Sequence, residues 1–378
     1  MSEFISSTCM TTREIQESFE QYRASFTKRS EGFALPDIKY YGKFSKNVEK
    51  ITDKDFFISI PIKNQASIIV NVLTTLLKNI DHVISVGLIF DNCSDRSLGV
   101  CLDFFEINFK RYPNLAAVHF VTSNGELFEA TAENISFLLC NQKYFVSLQS
   151  DIYFTDKTFL SRADKAFDVI PELFAVSGKA IVTFNIMSKF KIHLNRIFHF
   201  HNFALKFLPI YKGVKKTGFY LPYLGYFGDL SHPPDSYMYF SSSQINKLYL
   251  GEAVIRGPIV WLTETFRKLN GFNDVGFVLG RDDCDLSFRG FLNGHLSGYL
   301  PCTCFSIYEQ GTTRKPRSIE DQISLKGRQE LSQNFPGRLT NFWGKNSDHY
   351  TFEKKAINQL KTHFKNAYGS SIHLSDKS

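Results

Sequence analysis

The feature that most constrains the fold is the alternation of short apolar runs and helix-like segments between residues 55 and 151. Residues 55–61 form an apolar run that ends at a proline, which is typical of a buried parallel strand. Residues 66–79 then repeat apolar side chains at helical spacing. The pattern continues with strands predicted at 83–90, 116–121 and 144–148, and with helices near 97–111 and 126–141. Because such alternation implies right-handed crossovers, it predicts an α/β fold with a mostly parallel sheet flanked by helices.

Polar side chains follow three of the predicted strands. Asn64, Asp91 and Asp151 each stand where an apolar run ends. Ligands of open parallel sheets bind beyond the carboxyl ends of the strands, so these three side chains are expected to converge on one crevice. The plain alternative for each aspartate is a turn residue or a helix cap.

A second group of carboxylates lies far downstream. Asp282, Asp283 and Asp285 fall within four residues. They repel one another, so bringing them together costs free energy unless a cation or a function compensates. The alternative is an ordinary helix N-terminus, in which Asp285 forms a surface ion pair with Arg289 four residues on.

Together the two groups suit transfer from a nucleotide diphosphate. Charge builds on the leaving diphosphate in such a reaction, and a divalent cation held by hard oxygen ligands compensates it. A base must also take the proton of the attacking hydroxyl. An aspartate at a strand end and a distant acidic cluster would supply both.

Other segments depart from the alternation. Residues 1–50 are interpreted as an N-terminal extension, with one amphipathic helix over 14–26 and irregular chain marked by Gly32, Pro36 and Gly42. Residues 184–250 are rich in aromatic and basic side chains and are interpreted as an insertion over one end of the sheet. A helix is predicted near 263–269, and the tail at 346–378 is predicted to be helical in part.

Charge and hydropathy exclude several classes of protein. The net charge of +7 shows no concentrated basic patch or nucleic-acid-binding module, so nucleic acid is not an expected partner. The charge suits phosphorylated ligands and allows peripheral contact with an anionic membrane. There is no secretory leader and no apolar run of about 18 residues, so a cytoplasmic location is expected. The seven cysteines include no CxxC pair and are expected to be buried free thiols.

The chain carries, in this order, the runs IPIKN at 60–64, DNCSD at 91–95, SNG at 123–125, QSD at 149–151, GFND at 271–274 and DDCDL at 282–286. Their order resembles that of the motifs in the family 2 glycosyltransferases with the GT-A fold. The IPIKN run at 60–64 resembles the opening "IPxxN" strand of that family, and DNCSD at 91–95 resembles its "VDNxS" segment. The run SNG at 123–125, with Ala132 and Asn134 beyond it, is similar to the stretch near the donor.

The second half carries the remaining motifs. The run QSD at 149–151 falls where the family has its metal-binding DxD, and GFND at 271–274 matches its "GGFDE" turn. The run DDCDL at 282–286 resembles "EDxDL", in which the second acid is the base, and NFWGK at 341–345 resembles a run found in many members.

The resemblance implies a GT-A domain over residues 51–345, with a donor half at 55–155 and an acceptor half at 175–310. It implies an inverting transfer of sugar from a nucleotide-diphosphate donor, most readily a UDP-sugar, to a hydroxyl acceptor such as a glycan. Asp283 would be the base with Asp282 beside it, and Asp151 would hold Mn²⁺ or Mg²⁺. The implied donor-binding residues are Pro61, Asn64, Asp91, Asn124, Ser150 and Asp151, and the acceptor side is assigned to Arg281, Tyr220 and Tyr223.

Two departures from the family pattern keep other functions open. Gln149 replaces the first acid of DxD, and residues 306–310 contain no histidine where many members have one. Both would suit a catalytically inactive nucleotide-sugar-binding protein of the same fold. Another nucleotide-dependent α/β enzyme, such as a nucleotidyltransferase, would normally carry a glycine-rich phosphate loop, and none follows the first strand.

Overall fold

The structure is a computed structural model that describes residues 10–46, 55–178, 181–183, 247–251, 254, 257–276, 282–300, 302–307, 310 and 371–373. The helices are α1 (Thr12–Arg29), α2 (Ile69–Lys78), α3 (Ser97–Asn108), α4 (Phe128–Phe137), α5 (Phe159–Val169), α6 (Thr263–Lys268) and α7 (Asp282–Leu292). A short 3-10 turn, Phe109–Arg111, follows α3. Among the described residues, no helix is both long enough and apolar enough to cross a membrane.

The strands form one large sheet and one small one. In chain order they are β1 (Ile38–Ser45), β2 (Phe56–Ile62), β3 (Ile84–Asp91), β4 (Leu115–Ser123), β5 (Tyr144–Ser147), β6 (Ile152–Tyr153), β7 (Leu173–Ser177), β8 (Ile181–Thr183), β9 (Lys247–Gly251), β10 (Ile259–Leu262), β11 (Leu296–Tyr299), β12 (Phe305–Ile307) and β13 (Ser371–His373). The large sheet has the order β1-β4-β3-β2-β5-β10-β7-β11-β9-β13, and the small one has the order β6-β12-β8.

The centre of the large sheet is parallel, as the alternation predicts. Strands β4, β3, β2 and β5 pair in parallel, as do β7 and β11. Strand β10 is antiparallel to both β5 and β7 between those two groups. The predicted mostly parallel sheet flanked by helices is therefore confirmed.

Both faces of the sheet are covered, which explains why its central strands are largely apolar. All eight residues of β3 are buried. On one face, Phe56 and Ile58 of β2 pack with apolar residues of α2, α3 and α5. On the other face, Phe57 packs with residues of α1, α4, α6 and α7. Successive side chains of a strand point to opposite faces, so a strand buried on both faces is apolar at most positions rather than at alternate ones.

The N-terminal segment packs on this fold. The predicted helix is confirmed as α1, which begins with a capping box between Thr11 and Glu14. The prediction of irregular chain around Gly42 was wrong, because β1 runs through this glycine and pairs antiparallel with β4 at the sheet edge. A register shift between Tyr40 and Gly42 accommodates the glycine within the strand.

Most of the predicted insertion and tail lies outside the described residues. Strand β9 begins at Lys247, before the predicted end of the insertion, and pairs with β11. Within the tail, residues 371–373 form β13 rather than helix and pair with β9. Six cysteines are described, all as free thiols; five are buried and Cys93 is partly buried.

Candidate functional site

The carboxyl ends of the parallel strands meet at one edge of the sheet, and most of the candidate donor residues lie there. Strand β2 extends through Pro61 to Ile62, one residue beyond the predicted proline stop. The pairing of β2 with β5 ends at Ser59. Pro61, which has no N–H to donate, therefore stands where β2 pairs only with β3.

Asn64 connects the loops after β2 and β3. Its backbone is left-handed, with φ of 52°, which asparagine tolerates better than most residues. Its Oδ1 accepts hydrogen bonds from the backbone N of Ser94 at 2.8 Å and of Asp95 at 3.3 Å. Asn64 therefore sets the shape of the loop at this edge.

Asp91 ends β3 and is bound by the start of α4. Its Oδ1 accepts a hydrogen bond from the backbone N of Leu127 at 2.6 Å, and its Oδ2 accepts one from the N of Phe128 at 3.2 Å. Burial raises the pKa of Asp91, while the bond from Leu127 and the charge of Lys63 oppose that rise. The carboxylate thus anchors the N-terminus of a helix at the crevice, and its placement agrees with the predicted strand end.

The structure places Asn124 differently from the other candidates. Its Oδ1 accepts a hydrogen bond from the backbone N of Asp37 at 2.9 Å, and its own N donates to the Asp37 carbonyl at 3.3 Å. The exposed Asn124 amide therefore joins the β4–α4 loop to the segment before β1.

The segment after β5 carries Gln149, Ser150 and Asp151. The amide of Gln149 donates to Oε1 of Glu129 on α4 at 3.2 Å. Ser150 is partly buried, whereas Asp151 is buried and its Oδ2 accepts a hydrogen bond from the hydroxyl of Ser306 at 2.9 Å. The small sheet brings this about, because β6 begins at residue 152 and pairs with β12.

The described residues offer a metal ion one carboxylate at this position. No group of three or more His, Cys, Asp or Glu side chains that could hold a metal occurs among the residues that the structure describes. Asp151 supplies a hard oxygen ligand of the kind that Mg²⁺ and Mn²⁺ prefer. Among the described residues Asp151 alone does not complete a site, so a divalent cation here would need further oxygen ligands, such as those of a bound diphosphate.

The acidic cluster lies at the N-terminus of α7. Asp282 and Asp283 are buried, with 0% and 5% of their surface exposed. The Oδ1 of Asp283 accepts a hydrogen bond from the N of Cys284 at 2.8 Å, and its carbonyl accepts one from the Ser287 hydroxyl at 2.7 Å. The chain passes from the end of α7 into β11, which is parallel to β7. A helix that leads into a parallel strand normally runs back along the sheet, so the N-terminus of α7 is expected at the edge where β7 and β11 end.

The ion pair between Asp285 and Arg289 is present, at 2.7 Å, but its carboxylate is not on the surface, where the alternative of an ordinary helix N-terminus puts it. The Asp285 side chain is only 2% exposed. Arg289 also donates to the carbonyls of Leu269 and Gly271, so it joins α7 to the end of α6.

The turn at 271–274 is held from α4. Asn134 exchanges two hydrogen bonds with the backbone of Phe272, its Nδ2 donating at 2.8 Å and its Oδ1 accepting at 3.0 Å. Gly271 has φ of +64°, and a Cβ on it would lie 2.6 Å from the Asn134 Oδ1. Only glycine fits this position, which accounts for its place in the motif.

Sequence reasoning missed four residues that connect the segments after β2 and β5 to β12 and Gln310, namely Gln65, Tyr153, Ser306 and Gln310. Gln310 lies between two elements: its carbonyl accepts a hydrogen bond from Gln65 at 3.3 Å, and its Oε1 accepts one from the Tyr153 hydroxyl at 3.0 Å. Ser306, on the neighbouring strand, binds Asp151. No local signal marks them, because their partners are far away in the chain. Arg281, Tyr220 and Tyr223, the predicted acceptor residues, lie outside the described residues.

Comparison of the sequence with protein-family models gives no match, and comparison with curated proteins gives none. Among solved structures, the chain is similar to S. aureus TarS 1-349 in complex with UDP-GlcNAc, at 13% identity and a TM-score of 0.48, covering 82% of this chain and 72% of that one. It is also similar to the mannosyltransferase PcManGT from Pyrobaculum calidifontis in complex with GDP-Man and Mn²⁺, at 12% identity and a TM-score of 0.44, covering 94% and 81%. With TM-scores below 0.5, neither likeness carries an argument about substrate, metal or mechanism.

Proposed function

We propose that this protein is an inverting glycosyltransferase that moves a sugar from a nucleotide-diphosphate donor to an acceptor hydroxyl, such as a hydroxyl of a glycan. One observation carries the proposal: Asp91 ends β3 and Asp151 follows β5 at the same edge of the parallel part of the sheet. The connection from α7 into β11 is expected to bring the acidic N-terminus of α7 to the same edge. A crevice at that edge is where an α/β sheet binds a nucleotide. The motif order resembling family 2 glycosyltransferases supports the same assignment.

The donor nucleotide would bind along the ends of β2 and β3. Pro61 and Asn64 form that part of the crevice, and the Asp91 carboxylate would accept a hydrogen bond from the base. Ser150 would lie on the diphosphate side, next to Asp151. Asn124 has the weakest support, because its side chain and backbone both bind Asp37.

Asp151 is the residue proposed to hold Mn²⁺ or Mg²⁺ together with the diphosphate. The cation, when bound, would neutralise the negative charge that develops on the leaving group. The hydroxyl of Ser306 orients the Asp151 carboxylate by its hydrogen bond. Metal dependence is proposed separately from the transferase activity, because Asp151 is the one described carboxylate on which the proposed metal site rests.

Asp283 is proposed to be the general base. It would take the proton of the acceptor hydroxyl as the hydroxyl oxygen bonds to the anomeric carbon and the bond from that carbon to the diphosphate oxygen breaks. Burial around Asp282 and Asp283 limits water at this position, which favours transfer to a sugar hydroxyl over hydrolysis.

The test is a donor-hydrolysis and transfer screen with a panel of nucleotide sugars, UDP-sugars first, in the presence of Mn²⁺, Mg²⁺ or EDTA. Asp283→Asn is compared with Asp168→Asn, whose side chain is 52% exposed at the end of α5. Release of one nucleoside diphosphate by wild type and Asp168→Asn, lost in Asp283→Asn, supports the proposal. Saturable donor binding without turnover on any acceptor would identify a nucleotide-sugar-binding protein instead, and no binding to any nucleotide sugar would refute both functions.

A further inference from the structure

The N-terminal helix α1 is hydrogen-bonded to the turn at 271–274, which precedes α7. Asp274 is fully buried and accepts a hydrogen bond from the hydroxyl of Tyr22. Its other oxygen accepts one from Arg29 at 2.7 Å. The two α1 residues thus hold one carboxylate that lies 252 and 245 residues downstream.

The same turn is fastened to α7. Arg289 donates to the Gly271 carbonyl at 2.8 Å and to the Leu269 carbonyl, while its Nε binds Asp285 at 2.7 Å. Asp285 lies two residues after Asp283 on the first turn of α7. A continuous set of contacts therefore runs from α1 through the turn to the helix that carries the proposed base.

The turn has little freedom to adjust between these two attachments. The Phe272 ring packs edge-on against Trp261 and Phe266, with centroid distances of 5.7 and 5.1 Å. The side chain of Asn134 binds the Phe272 backbone from α4. A movement of Asp274 would thus be passed on to α7 rather than absorbed within the turn.

We propose that Asp274 is a positioning residue for the reaction, fixing the first turn of α7, and with it Asp283, against α1 through Tyr22 and Arg29. The inference rests on the proposed function and assigns a role to the N-terminal segment. General-base catalysis needs the base within hydrogen-bond reach of the acceptor hydroxyl, and a displacement of about 1 Å can cost about a hundredfold in rate. Asp274 itself touches no reacting atom in this scheme.

The first test measures how readily the first turn of α7 opens, and it does not rely on activity. Hydrogen–deuterium exchange of the full-length protein is followed over residues 282–287 in wild type, Asp274→Asn and Tyr22→Phe. Asp274→Asn keeps an acceptor for Tyr22 but removes the charge facing Arg29, and Tyr22→Phe keeps the ring and removes the hydroxyl. The matched control is Arg13→Gln, which breaks an ion pair on α1 whose side chains are 88% and 54% exposed and which does not involve the turn.

We expect exchange over 282–287 to be about tenfold faster in both variants and unchanged in the control, with α2 and α5 unaffected. Unchanged exchange over 282–287 in both variants would overturn the inference, whatever the protein catalyses. Faster exchange everywhere would also overturn it, because it would indicate general destabilisation.

The second test uses turnover with the donor identified by the screen. Asp274→Asn should lower kcat by between about tenfold and a hundredfold while the donor Kd stays unchanged. In an Asp283→Asn background the same change should alter the residual rate by less than about twofold, because the effects of coupled residues do not multiply. Multiplicative losses would show that Asp274 acts independently of Asp283 and would refute the positioning role. A wild-type protein without turnover would count against the proposed function, while the exchange experiment would still decide whether Asp274 fixes α7.

Discussion

Gly271 gives the sharpest test of how tightly the turn before the acidic helix is built. It follows Asn270, and both have left-handed backbones, with φ of 64° and 59°. In Gly271→Ala the added Cβ would lie 2.6 Å from the Oδ1 of Asn134 and 3.1 Å from a ring carbon of Phe266. The substitution therefore introduces a strained backbone and a clash with a side chain that is itself hydrogen-bonded.

The cost can be worked out from these contacts. A left-handed backbone costs a residue other than glycine about 1–2 kcal/mol. Relief of the clash requires Asn134 to move, which weakens its two hydrogen bonds to Phe272 in a buried setting. An unsatisfied buried polar group costs about 1–3 kcal/mol. We expect Gly271→Ala to lower the free energy of unfolding by roughly 2–5 kcal/mol in total.

The assay is urea unfolding at equilibrium, followed by tryptophan fluorescence, because Trp261 packs against Phe272 in the same cluster. Gly294→Ala is the matched control: Gly294 also has a positive φ, of 84°, but nothing lies within 4 Å of an added Cβ. It should show only the backbone cost of about 1–2 kcal/mol. Because both variants lose a glycine from the unfolded chain, that effect cancels in the comparison.

The difference between the two variants is the decisive quantity. If Gly271→Ala destabilises the protein no more than Gly294→Ala does, the contact with Asn134 is not rigid and the reasoning fails. If Gly271→Ala destabilises the protein by about 2 kcal/mol more than Gly294→Ala, the double variant Gly271→Ala with Asn134→Ala should regain little of that stability. Removing the Asn134 amide relieves the clash but leaves the Phe272 backbone without both of its hydrogen-bond partners.

Three further predictions rest on buried or strained groups. Burial next to Tyr40 lowers the pKa of His119 from 6.5 to about 4, so the unfolded chain binds a proton before the folded protein does as the pH falls. The free energy of unfolding should therefore decline by roughly 3 kcal/mol between pH 6.5 and pH 4. In urea titrations at each pH, His119→Gln should remove most of that decline. Asp156→Ala should lower the free energy of unfolding by about 3–5 kcal/mol, because it removes the carboxylate that lies 2.7 Å from the buried Arg162 guanidinium. The control Lys268→Gln breaks an exposed ion pair and should change the free energy of unfolding by less than about 1 kcal/mol. Similar losses in the two variants would contradict a stabilising role for the buried pair. Asn64→Ala should weaken donor binding in calorimetric titrations, because it removes the acceptor that shapes the loop after β3; unchanged affinity would exclude this loop from the donor site.

Local sequence patterns were sufficient for the central elements. The apolar runs at 55–61 and 83–90 form β2 and β3, because a strand buried on both faces is apolar at most of its positions. The placement of Asp91 and Asp151 at one edge follows from parallel pairing, which the alternation with helices already implies. The Asp285–Arg289 pair follows from helical spacing alone.

The N-terminal segment shows where local patterns were insufficient. Its helix was readable from spacing, but its glycines suggested irregular chain where β1 in fact forms. Edge strand β1 is specified by pairing with β4, 72 to 85 residues away, and a register shift accommodates Gly42. A local propensity for turns is overridden when the backbone gains a row of hydrogen bonds and a buried face.

What the sequence by itself determined is therefore the periodic part of the protein: the order of strands and helices, the burial of the central strands and the residues that end them. Tertiary structure alone decided which distant polar groups meet: Asp274 with Tyr22 and Arg29, and Asp151 with Ser306. The reason is that periodicity records which face of an element is buried, whereas a hydrogen bond between side chains 155 or 252 residues apart depends on how the packed elements are aligned.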